Sequence, residues 1–409
     1  MAERVSFPKS KIKVLLLENI HPKAAEQFTL GGFSLETASS SLSERDLVDK
    51  LSDVHVLGIR SKTQITAEIL KNADKLMSIG AFCIGTNQID LSECRLKGIP
   101  VFNAPFSNTR SVAEMIIGEI VMLARQLGDR SREVHQGIWK KISQGCFEVR
   151  GKTLGIVGYG HIGSQVSVLA ESFGMKVIYY DIITKMPMGN SRQLRSLQEV
   201  LKSSDFVTLH VPETAQTKNM IGEAQLKTMK KGAYLLNASR GTVVSLEALS
   251  QAVKSGHLAG AAVDVYPEEP QGQATDFWSA LQGLTNIILT PHIGGSTEEA
   301  QENIGLEVSA ALLKFINNGS THGSVNFPAV DLPVLEGSHR ILNVHKNVPG
   351  VLKNINGIFS DLGANIQGQY LATDSEIGYL IVDLDTNVSD QVKDRLRALP
   401  TSLRTRVLY

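Results

Sequence analysis

The sequence predicts an α/β protein built from two doubly wound parallel-sheet domains and a C-terminal ferredoxin-like module. Three observations carry that reading. Apolar strand-like runs alternate with helical stretches from about residue 11 to 290; one strand-to-helix junction holds a spaced set of glycines; and the element order changes after residue 339. At about 150 residues per domain, the 409 residues correspond to two or three domains.

In chain order, IKVLLLE reads as a strand and HPKAAEQFTL as a helix with proline near its start. VHVLGIR ends in the loop SKTQIT, a helix with AEILKNA follows, and LMSIGAF is the next buried strand. Residues 108–128, NTRSVAEMIIGEIVMLARQLG, have an Asn/Thr/Ser start and a glycine stop, which predicts one long helix. Between 154 and 290 lie six apolar strands, LGIVG, KVIYYD, FVTLHV, AYLLNAS, GAAVDVY and NIILTP, whose continuous apolar character suits a sheet covered on both faces. A second long helix runs from about Ser296 to Asn317, opened by the capping segment STEE. GSTHGSVNFPAVDLP then reads as a linker. Beyond it, HRILNVHKN, PGVLKNINGIFSDLG, NIQGQYLAT, IGYLIVDLDT, SDQVKDRLRAL and RTRVLY follow the order β-α-β-β-α-β. The expected domains are 11–107 with 296–335, 108–295, and 339–409, the two long helices crossing between the first two.

The 41 Lys and Arg balance the 41 Asp and Glu, so the chain lacks the positive field of a nucleic-acid or anionic-membrane binder, and no partner of either kind is expected. Cys83, Cys94 and Cys146 are too far apart for paired metal-ligand spacing, and no metal is expected. The apolar run near the N-terminus is shorter than a signal-peptide core, and nothing approaches the ~20 apolar residues of a membrane span. A cytoplasmic protein with reduced thiols is the expectation.

LGIVGYGHIG places Gly158, Gly160 and Gly163 between a strand and a helix, and Asp181 closes the next strand 18 residues after Gly163. The first glycine permits a tight turn, the second lets backbone approach a pyrophosphate, and the third lets helix and strand pack closely. The helix N-terminus faces the phosphates, and a carboxylate at Asp181 accepts ribose hydroxyls and repels a 2′-phosphate, favouring NAD over NADP. Gly151-Lys152-Thr153 resembles the end of a P-loop, but Cys146 stands where the loop needs its earlier glycine.

Three further loops sit at strand ends, where open α/β sheets place ligands: NASRG with Arg240, DVYPEEP with Asp264 and Glu269, and TPHIGG with His292. Hydride transfer from a 2-hydroxy acid needs a base for the hydroxyl proton, a cation for the carboxylate and developing alkoxide, and a partner that tunes the base. His, Arg and Glu supply one each.

GYGHIG, NASRG, DVYPEEP and TPHIGGST, in this order and spacing, resemble the D-isomer-specific 2-hydroxyacid dehydrogenases over about residues 11–335. The resemblance implies a substrate domain at 11–107 with 296–335 and a Rossmann-like NAD domain at 108–295. It implies His292 as acid/base, Glu269 as its partner and Arg240 on the substrate carboxylate and reacting oxygen. Glu268 is a neighbouring acid, passed over because the family's glutamate directly precedes the proline. NAD is then framed by Gly158, Gly160, His161, Ile162, Gly163, Asp181, Ala238, Ser239, Arg240, Asp264, His292, Ile293, Gly294 and Gly295.

Within the family, GIRSKT, CIGTNQIDL and VFNAPFSNTRSVAE, with the later HKNVPGVL, resemble the branch that oxidises D-3-phosphoglycerate at the start of L-serine synthesis. The substrate phosphate needs extra cations, for which Arg60 and Lys62 are the first candidates and Lys141 a further one. Gly85, Thr86 and Asn87 are candidates for the carboxylate. The C-terminal module resembles an ACT domain, which implies L-serine as an inhibiting effector gripped by His345, Asn347 and Asn365, and a homotetramer. Asn343 occupies a strand position where such modules often carry an apolar residue. Two other readings remain open on the sequence alone: the same chemistry on hydroxypyruvate, glyoxylate or 2-oxoglutarate, and an NAD(H)-sensing corepressor on the same fold.

Overall fold

The computed structural model describes residues 8–270, 274–333, 337–385 and 388–408. The chain divides into two units, residues 108–300 and residues 1–107 with 301–409. Among the described residues no helix is long and apolar enough to cross a membrane, and no group of His, Cys, Asp and Glu is placed to hold a metal ion.

The first five strands belong to the second of these units: β1 (Lys13–Leu16), β2 (Ser34–Thr37), β3 (Val56–Ile59), β4 (Ser78–Ala81) and β5 (Val101–Asn103). They form a parallel sheet in the order β2-β1-β3-β4-β5, which reverses direction between β1 and β3. Loops leaving the carboxyl ends of β1, β3 and β4 therefore gather at one edge, and GIRSKT and CIGTN are two of them.

The 108–300 unit holds β6 (Thr153–Val157), β7 (Lys176–Tyr180), β8 (Arg192–Gln193), β9 (Phe206–Leu209), β10 (Ala233–Asn237), β11 (Leu258–Val263) and β12 (Ile287–Leu289). All seven are parallel, in the order β12-β11-β10-β9-β6-β7-β8. Six match the sequence reading; the two-residue β8 at the edge was too short to leave a periodic signal. One face packs on helices Thr109–Arg125 and His161–Ser172 through Ile116, Ile120, Val166 and Ala170. The other packs on Leu197–Ser203, Glu223–Thr228 and Leu246–Lys254 through Val200, Leu226 and Leu249. The long helix predicted over 108–128 stops at Arg125: Gln126 adopts a left-handed conformation (φ 53°) and a second helix, Leu127–His135, starts there.

The C-terminal residues form β13 (His339–Lys346), β14 (Ile366–Thr373), β15 (Ile377–Leu384) and β16 (Ser402–Leu408), an antiparallel sheet in the order β14-β15-β13-β16. Helices Val351–Asp361 and Ser389–Arg397 complete the β-α-β-β-α-β order, the first burying Val351, Ile355 and Phe359 against Leu380 and Val382. The opposite face of the sheet is not left to solvent. Leu342, Val344, Tyr379 and Ile381 share a core with Phe315, Phe327 and Val330, so this module and the five-stranded sheet form one unit.

The segment read as a linker is built into that unit. Asn326 is buried, accepts the N–H of Val101 at 2.8 Å and donates to Ile99 O at 3.0 Å, while Val325 N–H donates to Val101 O. A polar side chain here satisfies the backbone of an edge strand that would otherwise be short of partners. Its Gly, Ser and Pro content permits the path without making the segment free.

Candidate active site

The glycine loop meets each geometric demand made of it. Gly158 has φ 91°, and a Cβ there would lie 2.2 Å from His210 O. A Cβ on Gly163 would lie 2.2 Å from Gly158 O, so that helix and loop can touch only without a side chain. Gly160, the N-cap of helix His161–Ser172, has open space around its missing Cβ. Two glycines are thus consumed by packing and the third leaves room above a helix N-terminus, which is the shape a dinucleotide pyrophosphate requires. His161 and Ile162 are the first residues of that helix.

Asp181 follows β7 directly. Its carboxylate accepts the N–H of Tyr159 at 2.8 Å and that of Ile183 at 3.1 Å, which holds it beside the glycine loop. These residues fit NAD: donors and open space for the phosphates at the helix end, and a fixed half-exposed carboxylate one strand away for the ribose.

Arg240, Glu269 and His292 follow β10, β11 and β12, three adjacent strands of one parallel sheet. His292 Nδ1 lies 2.7 Å from Glu269 Oε2. The other oxygen of Glu269 accepts the Tyr266 N–H at 3.0 Å. The hydrogen bond to Glu269 raises the His292 pKa against the opposing effect of burial. Burial works to raise the Glu269 pKa, but the bonds from His292 and the Tyr266 N–H outweigh it and hold the carboxyl below its usual range. The Arg240 charge lowers both pKa values in smaller measure. Its Nη1 donates to Ser239 O at 2.7 Å, and Asn237 Nδ2 braces the turn through Arg240 O at 3.0 Å.

His292 has φ 55°, uncommon for a residue with a side chain. Asp264 holds it there. One oxygen accepts from Thr290 Oγ1 at 2.6 Å and from Ile293 N–H at 2.8 Å, and the other from Gly294 N–H at 2.8 Å. The N–H groups of Ile293 and Gly294 are therefore committed to Asp264 and are not free donors for a cofactor. Glu119, on helix Thr109–Arg125, is a buried acid that the sequence did not single out. Burial, helped by the nearby Asp264 charge, pushes its carboxyl up to about 8.

In the other unit, Arg60 and Lys62 leave β3 and Gly85, Thr86 and Asn87 leave β4. Gln88 ties the two loops, donating to Arg60 O at 2.7 Å. Glu18 accepts the N–H groups of Lys62 and Thr63 at 3.0 and 2.8 Å, which fixes the direction of the Lys62 loop. Lys141 belongs to the 108–300 unit, on an exposed coil after Leu127–His135.

The effector candidates are less alike than expected. His345 lies within β13, which continues to Lys346; it is buried, with its ring against Gly378. Burial lowers its pKa. Asn347 does sit on the following loop, donating to Asp374 O at 2.6 Å, and Asn365 immediately precedes β14. Asn343, the unexpected polar strand residue, is buried and fully engaged: Nδ2 reaches Ser402 Oγ and Thr405 Oγ1, both at 2.9 Å, and Oδ1 pairs with His345 Nδ1 at 3.1 Å.

Residues 117–294 match the model of the D-isomer specific 2-hydroxyacid dehydrogenase NAD binding domain, and residues 341–404 that of the AHAS small subunit-like ACT domain. A D-3-phosphoglycerate dehydrogenase of Dictyostelium discoideum is 58% identical over all of both chains. One of Escherichia coli K12 is 50% identical, over 99% of this chain and all of its own. The chain belongs to the D-isomer-specific 2-hydroxyacid dehydrogenase family. Among solved structures, the D-lactate dehydrogenase of Aquifex aeolicus, complexed with NAD and lactic acid, aligns with a TM-score of 0.66. It is 30% identical, covering 77% of this chain and all of its own.

Sequence motifs found the charged and glycine residues of the dehydrogenase because each carries a chemical demand. They missed Glu18, Gln88 and Glu119, which act on backbone or lie buried, and a lone Glu or Gln beside a loop gives no such signal.

Proposed function

We infer that the protein oxidises D-3-phosphoglycerate to 3-phosphohydroxypyruvate with NAD, the first step of L-serine synthesis, and that L-serine inhibits it through the C-terminal module. The observation that carries the catalytic reading is the placing of Arg240, Glu269 and His292 on three adjacent strand ends in the same sheet as the glycine loop. Full-length identity to proteins named for this activity supports the substrate.

NAD, when bound, supplies the hydride acceptor. A neutral His292 accepts the C2 hydroxyl proton, and Glu269 stabilises the imidazolium that results. Arg240 offers a planar fork to the substrate carboxylate and to the oxygen on which charge changes. Arg60 and Lys62 are assigned the phosphate, with Lys141 as a further cation, and the Gly85-Thr86-Asn87 turn the carboxylate. The complete acid-base set speaks for an enzyme rather than a non-catalytic NAD(H) sensor.

His345, Asn347 and Asn365 are assigned to the effector. β14 is an edge strand of the C-terminal sheet, none of its residues fully buried, and pairing of such edges between subunits of a cytoplasmic homotetramer fits a seam site. The test is NADH formation at alkaline pH from NAD and D-3-phosphoglycerate, with and without millimolar L-serine. Activity suppressed by serine is expected. Activity indifferent to serine removes the effector assignment and keeps the enzyme; NADH binding without turnover of phosphoglycerate removes the substrate.

A further inference from the structure

The loop of residues 60–63, which leaves β3, is held from two sides. On one side Gln88 donates to Arg60 O at 2.7 Å, and the Ile65 N–H donates to Gln88 O at 2.7 Å, so the loop after β4 braces it at both ends. On the other side the two oxygens of the Glu18 carboxylate accept one N–H each, from Lys62 at 3.0 Å and from Thr63 at 2.8 Å. Thr63 Oγ1 is buried without a hydrogen-bond partner, so the hold rests on these backbone bonds and not on the threonine hydroxyl.

Glu18 is the second residue after β1 and is only 6% exposed. Both it and Asn19 are left-handed, with φ 63° and 52°, an uncommon conformation for residues with side chains. Their N–H groups donate to Ser40 O at 3.3 Å and Ala38 O at 3.2 Å, which ties the turn to the segment after β2. Backbone strain of this kind persists only where its surroundings fix it, and it gathers where function needs a defined geometry. Its product here is a carboxylate set against the amides of the neighbouring loop.

A buried carboxylate ordinarily takes a cation as its partner. Glu18 takes two successive backbone amides instead, although Arg60 and Lys62 belong to the same loop. Among the described residues neither of those two side chains has a hydrogen-bond or ion-pair partner; Arg60 is half-buried and Lys62 exposed. Successive N–H groups can themselves cradle an anion. Glu18 fills that cradle from within the protein and leaves both side-chain cations for a ligand.

We propose that Glu18 is a positioning residue for the phosphate end of the substrate: it holds the loop so that Arg60 and Lys62 meet one phosphate group, and so sets the preference for phosphorylated over unphosphorylated 2-oxo acids. The proposal rests on the phosphate assignment made above and deepens it. Two cations on a fixed loop lose little freedom when they bind, whereas on a loose loop the cost of ordering is subtracted from the affinity. Glu18 acts through the loop, its own oxygens being taken by the two amides.

The experiment compares kcat/KM for the NADH-dependent reduction of 3-phosphohydroxypyruvate with that of hydroxypyruvate, in the unchanged protein and in Glu18→Gln. The amide nearly matches the carboxylate in size but accepts only one of the two N–H groups. The ratio of the two values should fall about tenfold or more. In the Arg60→Ala/Lys62→Ala background the same substitution should change the ratio less than twofold, because no cation is left to position. Amide hydrogen exchange at Lys62 and Thr63 should be faster in Glu18→Gln. An unchanged ratio, or an equal fall in both backgrounds, would overturn the proposal, and so would a fall in the ratio without faster exchange at the two amides. If the unchanged protein reduced both substrates alike, the phosphate assignment above would fall and take the specificity with it, while exchange at Lys62 and Thr63 would still support or overturn the hold on the loop.

Discussion

His292 and Glu269 share a 2.7 Å hydrogen bond between loops that leave neighbouring strands, β12 and β11. The bond raises the pKa of His292 above its ordinary 6.5 and thereby sets the pH at which the base becomes available.

The first prediction concerns that pH. Oxidation requires neutral His292, so kcat/KM for D-3-phosphoglycerate should rise with pH through an apparent pKa above the usual histidine value. Glu269→Gln removes the charge that favours the imidazolium. The rise should then move to lower pH, and the alkaline plateau should fall by about 100-fold or more, the range of general acid-base contributions. A pH-rate profile of both proteins checks this; superimposable profiles would detach Glu269 from the reaction.

Asp181 supports a prediction about cofactor choice. Replacing it with alanine removes an ionised acceptor from the expected ribose position and leaves the Tyr159 N–H without its bond. Loss of a charged hydrogen bond costs about 1.5–3 kcal/mol, so the KM for NAD should rise roughly tenfold to a hundredfold while that for NADP changes little or improves. Steady-state kinetics with both cofactors measure it.

Arg60 separates the substrates. Arg60→Ala should raise the KM for D-3-phosphoglycerate about tenfold or more through loss of a charge-assisted phosphate contact. Reduction of hydroxypyruvate, which has no phosphate, should be nearly unaffected. Equal losses on both substrates would assign Arg60 to the carboxylate or to loop structure instead.

The glycine loop, the strand-end triad and the three sheets were legible because each rests on a rule that acts over a few residues. Gly158 needs a positive φ, Gly163 needs contact without a Cβ, and an apolar run between turns needs a covered sheet. What the sequence hid depends on distant partners. The turn at Gln126 interrupts an otherwise continuous helical pattern, and the burial of Asn326 and Asn343 exists only because Val101, Ser402 and Thr405 arrive from elsewhere. The same holds for Asp264. Its motif suggested a cofactor contact, and the three hydrogen bonds it also gives the His292 loop are visible only in three-dimensional geometry.

Arg340 and Asp383 yield the last prediction, on stability. Both side chains are almost fully buried, and the guanidinium meets the carboxylate with two bonds of 2.7 Å. The remaining N–H groups reach the carbonyl oxygens of Asn318, Leu332 and Pro333, tying β13 to the end of helix Glu298–Asn318 and to the segment that follows it. Asp383→Leu would leave a buried cation facing an apolar side chain, at a cost of about 3–5 kcal/mol. The thermal midpoint should fall by about 10 °C. Adding Arg340→Met removes the stranded charge and should recover part of the loss. Recovery should be incomplete, because three carbonyl groups then lose their donor, and that shortfall separates the anchoring role of Arg340 from the charge pair itself. Thermal unfolding of the single and double variants decides it: a double variant no better than Asp383→Leu alone would mean that the carbonyl contacts, not the ion pair, hold this junction.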